Sequence, residues 1–224
     1  MCLKDTIKKK LERIQNQIEK AQRKVELVAV SKKISTQAIN TAYECGQKSF
    51  GESYIQEALE KIEACPSDIS WHLIGRLQRN KIKYLPGKFK LIHSVDSLEL
   101  AEEIDKKFKE KNIVAHILFQ LNLAQEKTKA GVRESGVFSL VRGTLLLPNI
   151  HVQGLMTVPP YFENPEDVRP YFKKSREILS ELKKEFQDKI GSELSMGMSH
   201  DFKIAIEEGA TIVRIGTAIF GERQ

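Results

Sequence analysis

The sequence predicts a single (β/α)8 barrel, the TIM-barrel form of the α/β class, over residues 1–224. Eight short apolar runs alternate with helix-like segments, which is typical of parallel strands joined by crossover helices. Several runs are apolar at consecutive positions, as at residues 27–30 and 117–119, and strands buried on both faces have this composition. The chain of 224 residues fits one barrel and leaves no length for a second full domain.

The eight predicted strands coincide with the apolar runs. They cover residues 25–32, 49–53, 71–75, 91–96, 114–122, 151–158, 193–197 and 211–217. Eight strands alternating with helices fit a closed barrel better than an open doubly wound sheet, which remains the alternative. No Gly-x-Gly-x-x-Gly follows the first run, so the dinucleotide-binding version of the open sheet has no support.

The helix-like segments are amphipathic. An extra N-terminal helix is predicted from apolar residues at three- and four-residue spacing, namely Ile7, Leu11, Ile14, Ile18 and Ala21. Further helices are predicted over residues 35–46, 97–111, 164–189 and 199–209. The first of these opens on a Ser cap and stops at Gly46, and Pro165 suits the first turn of the long third one. The polar segment 122–131 is expected to be a mobile loop.

Composition and charge describe an ordinary globular domain. Hydrophobic residues make up 41% and charged residues 29% of the chain, which is usual for such domains. A net charge of +6 could serve nucleic acid, a membrane or an anionic ligand. However, Lys and Arg are mixed with Glu and Asp along the whole chain, and aromatic residues reach only 7%. A solvated surface is therefore favoured over a nucleic-acid interface.

Cysteine and histidine patterns argue against several kinds of site. The cysteines are odd in number (Cys2, Cys45 and Cys65) and form no Cys-x-x-Cys pair, so neither a disulfide framework nor a thiolate metal site is expected. Free thiols fit a reducing cytoplasm. The histidines show no metal-ligand spacing, and no metal is expected. The N-terminus lacks the apolar core of a signal peptide, and no apolar run approaches the roughly 18 residues of a membrane span.

Lys32 is the first candidate site residue, because it directly follows Leu-Val-Ala-Val-Ser at the end of a buried strand. A buried ammonium is costly unless it is paired, and desolvation lowers the pKa of a lysine, which makes the neutral amine available for imine formation. The alternative is a strand-end lysine that extends its side chain to water. Lys33 is a rival, since the two have opposite strand parity and parity alone does not tell which one faces inward.

Polar and small residues also follow the last two strands. The segment 195–201 combines small residues with a hydroxyl at a predicted helix start, where free N–H groups and the helix dipole favour phosphate. A plain N-cap is the commoner role for a residue such as Ser199, and it is compatible with phosphate binding because the cap position is also the phosphate position. Gly216 and Thr217 could add N–H groups and a hydroxyl. Arg214 lies in an apolar strand, so it must meet a partner inside the barrel or reach the rim. Structural pairing with a Glu or Asp is as well supported as a functional role.

Seven motifs carry a resemblance to a known family. They are Ala-Val-Ser-Lys at 29–32, Phe-Gly-Glu-Ser-Tyr-Ile-Gln-Glu at 50–57, Trp-His-Leu-Ile-Gly-Arg-Leu-Gln-Arg-Asn-Lys at 71–81, His-Ser-Val-Asp at 93–96, Gly-Leu-Met at 154–156, Leu-Ser-Met-Gly-Met-Ser-His-Asp at 194–201 and Val-Arg-Ile-Gly-Thr-Ala-Ile-Phe-Gly at 213–221. With these the chain resembles the pyridoxal 5′-phosphate (PLP) homeostasis proteins, also called PLP-binding proteins or the proline synthetase co-transcribed bacterial homologue family. The resemblance implies a type III PLP fold, similar to the N-terminal barrel of alanine racemase.

The resemblance implies a role for each matched residue. Lys32 would hold PLP as a Schiff base, and Arg214 would face the pyridine nitrogen. Ser199, Gly216 and Thr217 would hold the phosphate.

Further matched residues have less defined roles. Asn80 and Met196 would lie near the cofactor, and Lys129 matches a loop lysine of the family whose role is unsettled. Ser53 departs from the family motif, which usually reads Phe-Gly-Glu-Asn. Ser is shorter than Asn and lacks its amide, so any contact of Ser53 with the ring would be water-mediated or lost.

The resemblance implies a carrier rather than an enzyme. A guanidinium is donor-only and keeps its proton, so a ring nitrogen facing Arg214 would stay unprotonated, and such a ring is a poorer electron sink. The racemase takes its second acid–base group, a tyrosine, from a C-terminal domain and a partner subunit, and this chain ends at Gln224. We therefore expect a monomeric, cytoplasmic protein that binds and supplies PLP, with apo PLP enzymes as transient partners. A small PLP-dependent amino-acid racemase is the alternative, and a nucleic-acid-binding protein, resting on charge alone, ranks last.

Overall fold

A computed structural model describes residues 2–124, 126 and 130–222 of the chain. Within them, eight parallel strands pair in chain order and β8 returns to β1, so the sheet closes into the predicted barrel. The strands are β1 (Glu26–Val30), β2 (Ser49–Glu52), β3 (Ser70–Leu73), β4 (Leu91–Val95), β5 (Ala115–Leu121), β6 (Ile150–Thr157), β7 (Glu193–Ser195) and β8 (Ile212–Ile215). Each predicted strand is confirmed to within two residues at either end.

Helices cover the outside of the barrel. They are α1 (Leu3–Glu19), α2 (Thr36–Glu44), α3 (Ile55–Ala64), α4 (Leu98–Lys109), α5 (Glu134–Thr144), α6 (Arg169–Phe186), α7 (Phe202–Glu207) and α8 (Thr217–Phe220). A 3-10 helix, Arg79–Tyr84, joins β3 to β4. The extra N-terminal helix is confirmed as α1, which buries Ile7, Leu11, Ile14 and Ile18 of the predicted stripe, whereas Ala21 lies after its end and is half-buried. Within the described ranges, none of these helices has the length and apolarity needed to cross a lipid bilayer.

The predicted helix 164–189 is divided. Pro165–Val168 forms a 3-10 turn, and the α-helix begins only at Arg169, with Pro170 in its first turn. Proline has no N–H to donate and its ring clashes with the carbonyl four residues earlier, so an α-helix cannot extend back through Pro170. At the other end, Gln187 takes a positive φ of 50° and α6 stops before it.

Three helices, α3, α5 and the four-residue α8, were not predicted from the sequence. The buried face of α3 contains Lys61 beside Ile55 and Ala58, so a charge interrupts its apolar stripe. The sequence of α5 contains Gly136 and Gly143, and glycine is a poor helix former.

Side chains on the strands alternate between two cores. The core inside the barrel consists of Val28, Leu91, Leu118, Met156 and Ile212. A larger cluster between the strands and the helices holds their sequence neighbours, Leu27 and Ala29 among them. Because successive strand residues face opposite sides, the inner face belongs to residues with the parity of Val28 in β1 and of Ile212 in β8. Polar residues of this parity near the carboxyl ends of the strands line the mouth, where barrel sites form.

The segment 122–131, expected to be mobile, joins β5 to α5. Gln125, Lys127, Thr128 and Lys129 lie outside the described residues, so both the mobility of this loop and the role of Lys129 stay predictions. The ends of the loop are bonded. The N–H of Asn122 donates to the carbonyl of Val132 at 2.9 Å, and the Gln120 amide donates to the carbonyl of Ala130 at 2.8 Å.

Candidate functional site

The carboxyl ends of β7, β8 and β1 lie side by side. β8 pairs with β1, with Arg214 opposite Val28, and pairs with β7 on its other side. Lys32 follows β1 by two residues, and Gly216 follows β8 directly. These strand ends therefore bring Lys32, Arg214 and Gly216 to one part of the barrel mouth.

The turn after β7 closes onto the start of α8. The hydroxyl of Ser199 accepts the N–H of Ala218 at 3.2 Å, and Thr217 beside it is exposed. Ser199 is not the N-cap of the predicted helix, because α7 begins only at Phe202 and Asp201 takes the N-cap position. Ser199 and the first residues of α8 instead form one cluster of hydroxyl and N–H groups, a composition that suits a phosphate.

Lys32 and Lys33 have different surroundings. The N–H of Ser31 donates to the carbonyl of Gly51 at 3.0 Å, which extends the pairing of β1, and the alternation from Val28 then assigns Lys32 to the inner side. Lys32 is half-buried, whereas Lys33 is exposed and has a positive φ of 60°. The geometry favours Lys32 as the lysine at the barrel mouth.

A buried charged cluster supports the turn that carries Lys32. The Lys61 ammonium donates to the carbonyl of Ser31 at 2.6 Å, to Glu52 at 2.8 Å and to Glu57 at 2.6 Å. Glu52 also accepts the hydroxyl of Ser31 at 2.7 Å, and Glu57 accepts the N–H of Lys33 at 2.5 Å. We call Glu52, Glu57 and Lys61 the turn brace. Its bonds to residues 31 and 33 hold both neighbours of Lys32 in place.

Arg214 is buried inside the barrel with only 4% of its surface exposed. Its Nη1 donates to the hydroxyl of Ser195 at 2.6 Å, and its Nη2 donates to the carbonyl of Thr157 at 2.9 Å. Among the described residues no carboxylate forms an ion pair with it, so the expected alternative of structural pairing with Glu or Asp is wrong. Burial lowers the pKa of Arg214 to about 10, although the charge of Asp201 acts to raise it. The side chain is therefore a cation at neutral pH.

The other predicted residues are placed less directly. Ser53, after β2, is half-buried, and its backbone packs so closely on Gly75 that an added Cβ there would lie 2.3 Å from the Ser53 carbonyl. Asn80 is exposed in the 3-10 helix after β3. Met196 is fully buried in the outer core cluster, so a role of Met196 at the mouth would fall to its backbone. Cofactor contacts of these three residues stay predictions.

Sequence reasoning missed the turn brace and the inner partners of Arg214. Glu57 and Lys61 stand four residues apart, a spacing that makes them neighbours on a helix, but α3 was not predicted as a helix. Ser195 and His93 stand inside apolar runs and share the inner face with Arg214. Both lie within motifs of the family resemblance, but neither motif links them to each other or to Arg214, because the three residues meet only when the barrel closes.

Sequence comparisons show the family of the chain. A family model described as "Alanine racemase, N-terminal domain" matches residues 4–224. A "Pyridoxal phosphate homeostasis protein" of Aquifex aeolicus is 53% identical over 218 residues, which cover 96% of this chain and 95% of that protein. A protein of the same name from Schizosaccharomyces pombe is 35% identical over 225 residues, covering 97% of this chain and 93% of that one.

Solved structures extend the comparison. PipY of Synechococcus elongatus, in a structure with PLP bound, has a TM-score of 0.87 and 34% identity, covering 96% of this chain and all of that one. An alanine racemase of Clostridium difficile has a TM-score of 0.76 at 15% identity, and the match covers 57% of that chain; this likeness shows a shared fold alone. The chain therefore belongs to the family of pyridoxal phosphate homeostasis proteins, which is built on the alanine racemase N-terminal domain.

Proposed function

We propose that this chain binds PLP and holds it in supply for other proteins, without a dedicated reaction of its own. The main support for the proposal is the buried guanidinium of Arg214. Arginine has five N–H donors, and two nitrogens of Arg214 donate to described residues, Ser195 and Thr157. A buried cation with unused donors fits an acceptor from outside the chain, such as the ring nitrogen of PLP. The PLP-bound structure of PipY, a relative with 34% identity, supports the same ligand.

The residues at the mouth fit the three parts of PLP. Lys32 offers a primary amine for a Schiff base, and Arg214 offers N–H donors for the ring nitrogen. Ser199, Gly216 and Thr217 offer the hydroxyl and N–H groups that a phosphate accepts. When bound, PLP supplies an aldehyde carbon and an electron-withdrawing ring.

Arg214 also favours storage over catalysis. With a pKa of about 10, Arg214 donates at neutral pH and cannot accept a proton from a ring nitrogen. A ring nitrogen bonded to it stays unprotonated, and this weakens the ring as an electron sink for carbanion chemistry. The site therefore suits tight binding and release of PLP better than rapid turnover of amino acids.

An amino-acid racemase is the second candidate function, and one contact favours it. Tyr161, after β6, is 77% exposed, and its ring centroid lies 5.3 Å from that of His200, next to Ser199. A tyrosine beside the mouth is the kind of group that can act as a second acid or base. The variant Tyr161→Phe therefore separates the two functions.

Titration of the cofactor-free protein with PLP tests binding. The wild type and Lys33→Ala should develop the visible absorbance of a Schiff base, whereas Lys32→Ala should not. Lys33→Ala is the matched control, because it removes a neighbouring amine from the same turn. Absence of the absorbance in the wild type would contradict PLP binding, and its persistence in Lys32→Ala would contradict the assignment of the lysine.

Incubation of the PLP-loaded protein with L-amino acids and with an apo PLP enzyme tests the carrier function. We expect activation of the apo-enzyme without racemisation or transamination. Amino-acid turnover at roughly 1 to 1000 per second, as in typical enzymes, that is lost in Tyr161→Phe would establish the racemase instead.

We also propose that the protein acts in the cytoplasm as a monomer, with apo PLP enzymes as transient partners. Cys2, Cys45 and Cys65 are free thiols, which suits a reducing compartment. Size-exclusion chromatography with light scattering checks the monomeric state.

A further inference from the structure

A chain of hydrogen bonds leads from Arg214 through the inside of the barrel. Arg214 Nη1 donates to Ser195 Oγ at 2.6 Å, and this oxygen lies 2.9 Å from Nδ1 of His93. Nε2 of His93 lies 2.9 Å from Nδ1 of His72. Nε2 of His72 has no hydrogen-bond partner among the described residues, and it lies 3.5 Å from Oε1 of Glu26. Ser195, His93 and His72 are completely buried. We call Ser195, His93 and His72 the relay.

Beyond His72, at the amino-terminal end of the barrel, the relay meets the carboxylate of Glu26. Glu26 Oε1 accepts the hydroxyl of Ser49 at 2.6 Å and the ammonium of Lys90 at 2.7 Å. Burial acts to raise the pKa of Glu26, but its contact with His72 and its bonds from Lys90 and Ser49 outweigh burial and hold this pKa below its usual value. Glu26 is therefore ionised at neutral pH and can only accept hydrogen bonds.

The two ends favour one direction for every bond between them. Arg214 can only donate to Ser195, and if the Ser195 hydroxyl donates onward to Nδ1 of His93, then His93 donates from Nε2 to Nδ1 of His72. With Nδ1 accepting, His72 carries its proton on Nε2, on the side of Glu26. The opposite order would either turn an unprotonated Nε2 of His72 toward the carboxylate, which is repulsive, or require two protons on this fully buried ring.

His93 can accept a hydrogen bond from Ser195 and donate one to His72 because its ring is neutral. Burial, with the positive charges of Arg214 and Lys90, lowers the pKa of His93 well below its usual value, and the opposing charge of Glu26 does not offset this. A neutral imidazole has one donor and one acceptor, as the one-way order requires.

We propose that Ser195, His93 and His72 are positioning residues that fix the Arg214 guanidinium for a heteroaromatic ring nitrogen bound at the barrel mouth. This inference rests on the proposed function, since that nitrogen belongs to PLP. A hydroxyl that donates to His93 becomes a better acceptor for Arg214, because linked hydrogen bonds polarise one another. Together with the Thr157 carbonyl at 2.9 Å, Ser195 then holds the guanidinium by both terminal nitrogens and leaves its other donors for the ligand.

Nitrogen-15 NMR of the cofactor-free protein tests the order of the relay without PLP. We expect the His93 ring to be neutral, with its proton on Nε2, from about pH 6 to about pH 8, the range in which an ordinary histidine titrates, and we expect Nδ1 of His72 to be the acceptor of that proton's hydrogen bond. A proton on Nδ1 of His93, or a protonated His93 in this range, would overturn the one-way relay.

PLP titration of relay variants tests the link to the ligand. Ser195→Ala and His93→Phe should lower PLP affinity by about tenfold, the usual effect of losing a hydrogen bond to a charged group, and should change the pH profile of the Schiff-base absorbance. His93→Asn keeps an acceptor near Nδ1, so it should retain most of the affinity and guards against misfolding of His93→Phe. Ser175→Ala is the control, because it removes a buried hydroxyl whose bond among the described residues, to the carbonyl of Tyr171, stays within α6.

The outcomes separate this inference from the proposed function. If the wild type does not bind PLP, both fail. The second case is that the wild type binds PLP and that Ser195→Ala, His93→Asn and His93→Phe all fold and bind it with wild-type affinity and pH profile. The positioning role is then wrong, while the proposed function stands.

Discussion

At the residue scale, Arg214 shows a conflict between stability and binding. Its guanidinium is buried against a hydroxyl and a carbonyl, without an ion-paired carboxylate among the described residues. Burial of a charge without an opposite charge lowers the stability of the folded state, because the lost hydration is not replaced. The lowered pKa of Arg214, about 10, has the same cause. A residue that costs stability at a barrel mouth is best explained by the ligand it binds.

We predict that Arg214→Met leaves the melting temperature of the cofactor-free protein unchanged or raises it. Methionine has similar length and no charge to desolvate, and apolar replacements of buried charges are often neutral or stabilising. PLP affinity should fall by about tenfold or more, since a charged hydrogen bond is lost. Calorimetry and PLP titration measure the two effects. A large loss of stability without loss of affinity would show that Arg214 is structural.

At the element scale, α3 and the end of β1 depend on each other through the turn brace. Lys61 is 5% exposed and Glu52 is fully buried, so the two charges compensate each other in a region that water does not reach. The same cluster bonds the backbone on both sides of Lys32. The brace thus links the packing of a helix on the outer face of the barrel to the position of a side chain at its mouth.

We predict that Lys61→Met lowers the free energy of unfolding by about 3 kcal/mol, because it leaves buried Glu52 without its cation. Addition of Glu52→Gln should restore part of this loss, since the uncompensated charge is then removed. Chemical denaturation of the single and double variants measures both effects. Equal stability of Lys61→Met and wild type would contradict a brace of interacting charges.

Loss of Glu57 tests the effect of the brace on the site. Glu57→Ala should slow Schiff-base formation with PLP, because the N–H of Lys33 loses its acceptor and the turn loosens. Glu60→Ala, an exposed residue on the same helix, is the control and should react at the wild-type rate. Stopped-flow absorbance measures the rates; equal rates in both variants would rule out this effect.

At the scale of the whole molecule, most of the barrel was predictable and the inner polar residues were not. All eight strands were found because burial on both faces makes their apolar character continuous. The helix α3 was missed because its buried face includes Lys61. The start of the long helix α6, near Pro170, was placed too early because the sequence before it is also amphipathic. Lys32, Ser199 and Arg214 could be proposed from strand ends and family motifs. The relay could not, since Ser195, His93 and His72 come from three strands and meet only in the closed barrel.

Acid stability is a property of the whole barrel to which Glu26 contributes. Its pKa is lower in the folded chain than the usual 4.5, so its contribution to stability is fully present above about pH 4.5 and declines as the pH falls further. We predict that Glu26→Gln costs about 1–2 kcal/mol at pH 7 and that the difference from wild type shrinks below pH 4.5. Denaturation across this pH range measures it. A difference that does not shrink in acid would contradict the sign of the pKa shift.

Reductive trapping of PLP tests most directly that Lys32 is the lysine that holds it. The protein is loaded with PLP, reduced with borohydride, digested and mapped by mass spectrometry, with Lys32→Ala and Lys33→Ala treated alongside. We predict a phosphopyridoxyl group on Lys32 in the wild type and in Lys33→Ala, and none at this turn in Lys32→Ala. An adduct on Lys33, or no adduct in the wild type, would contradict the assignment of Lys32.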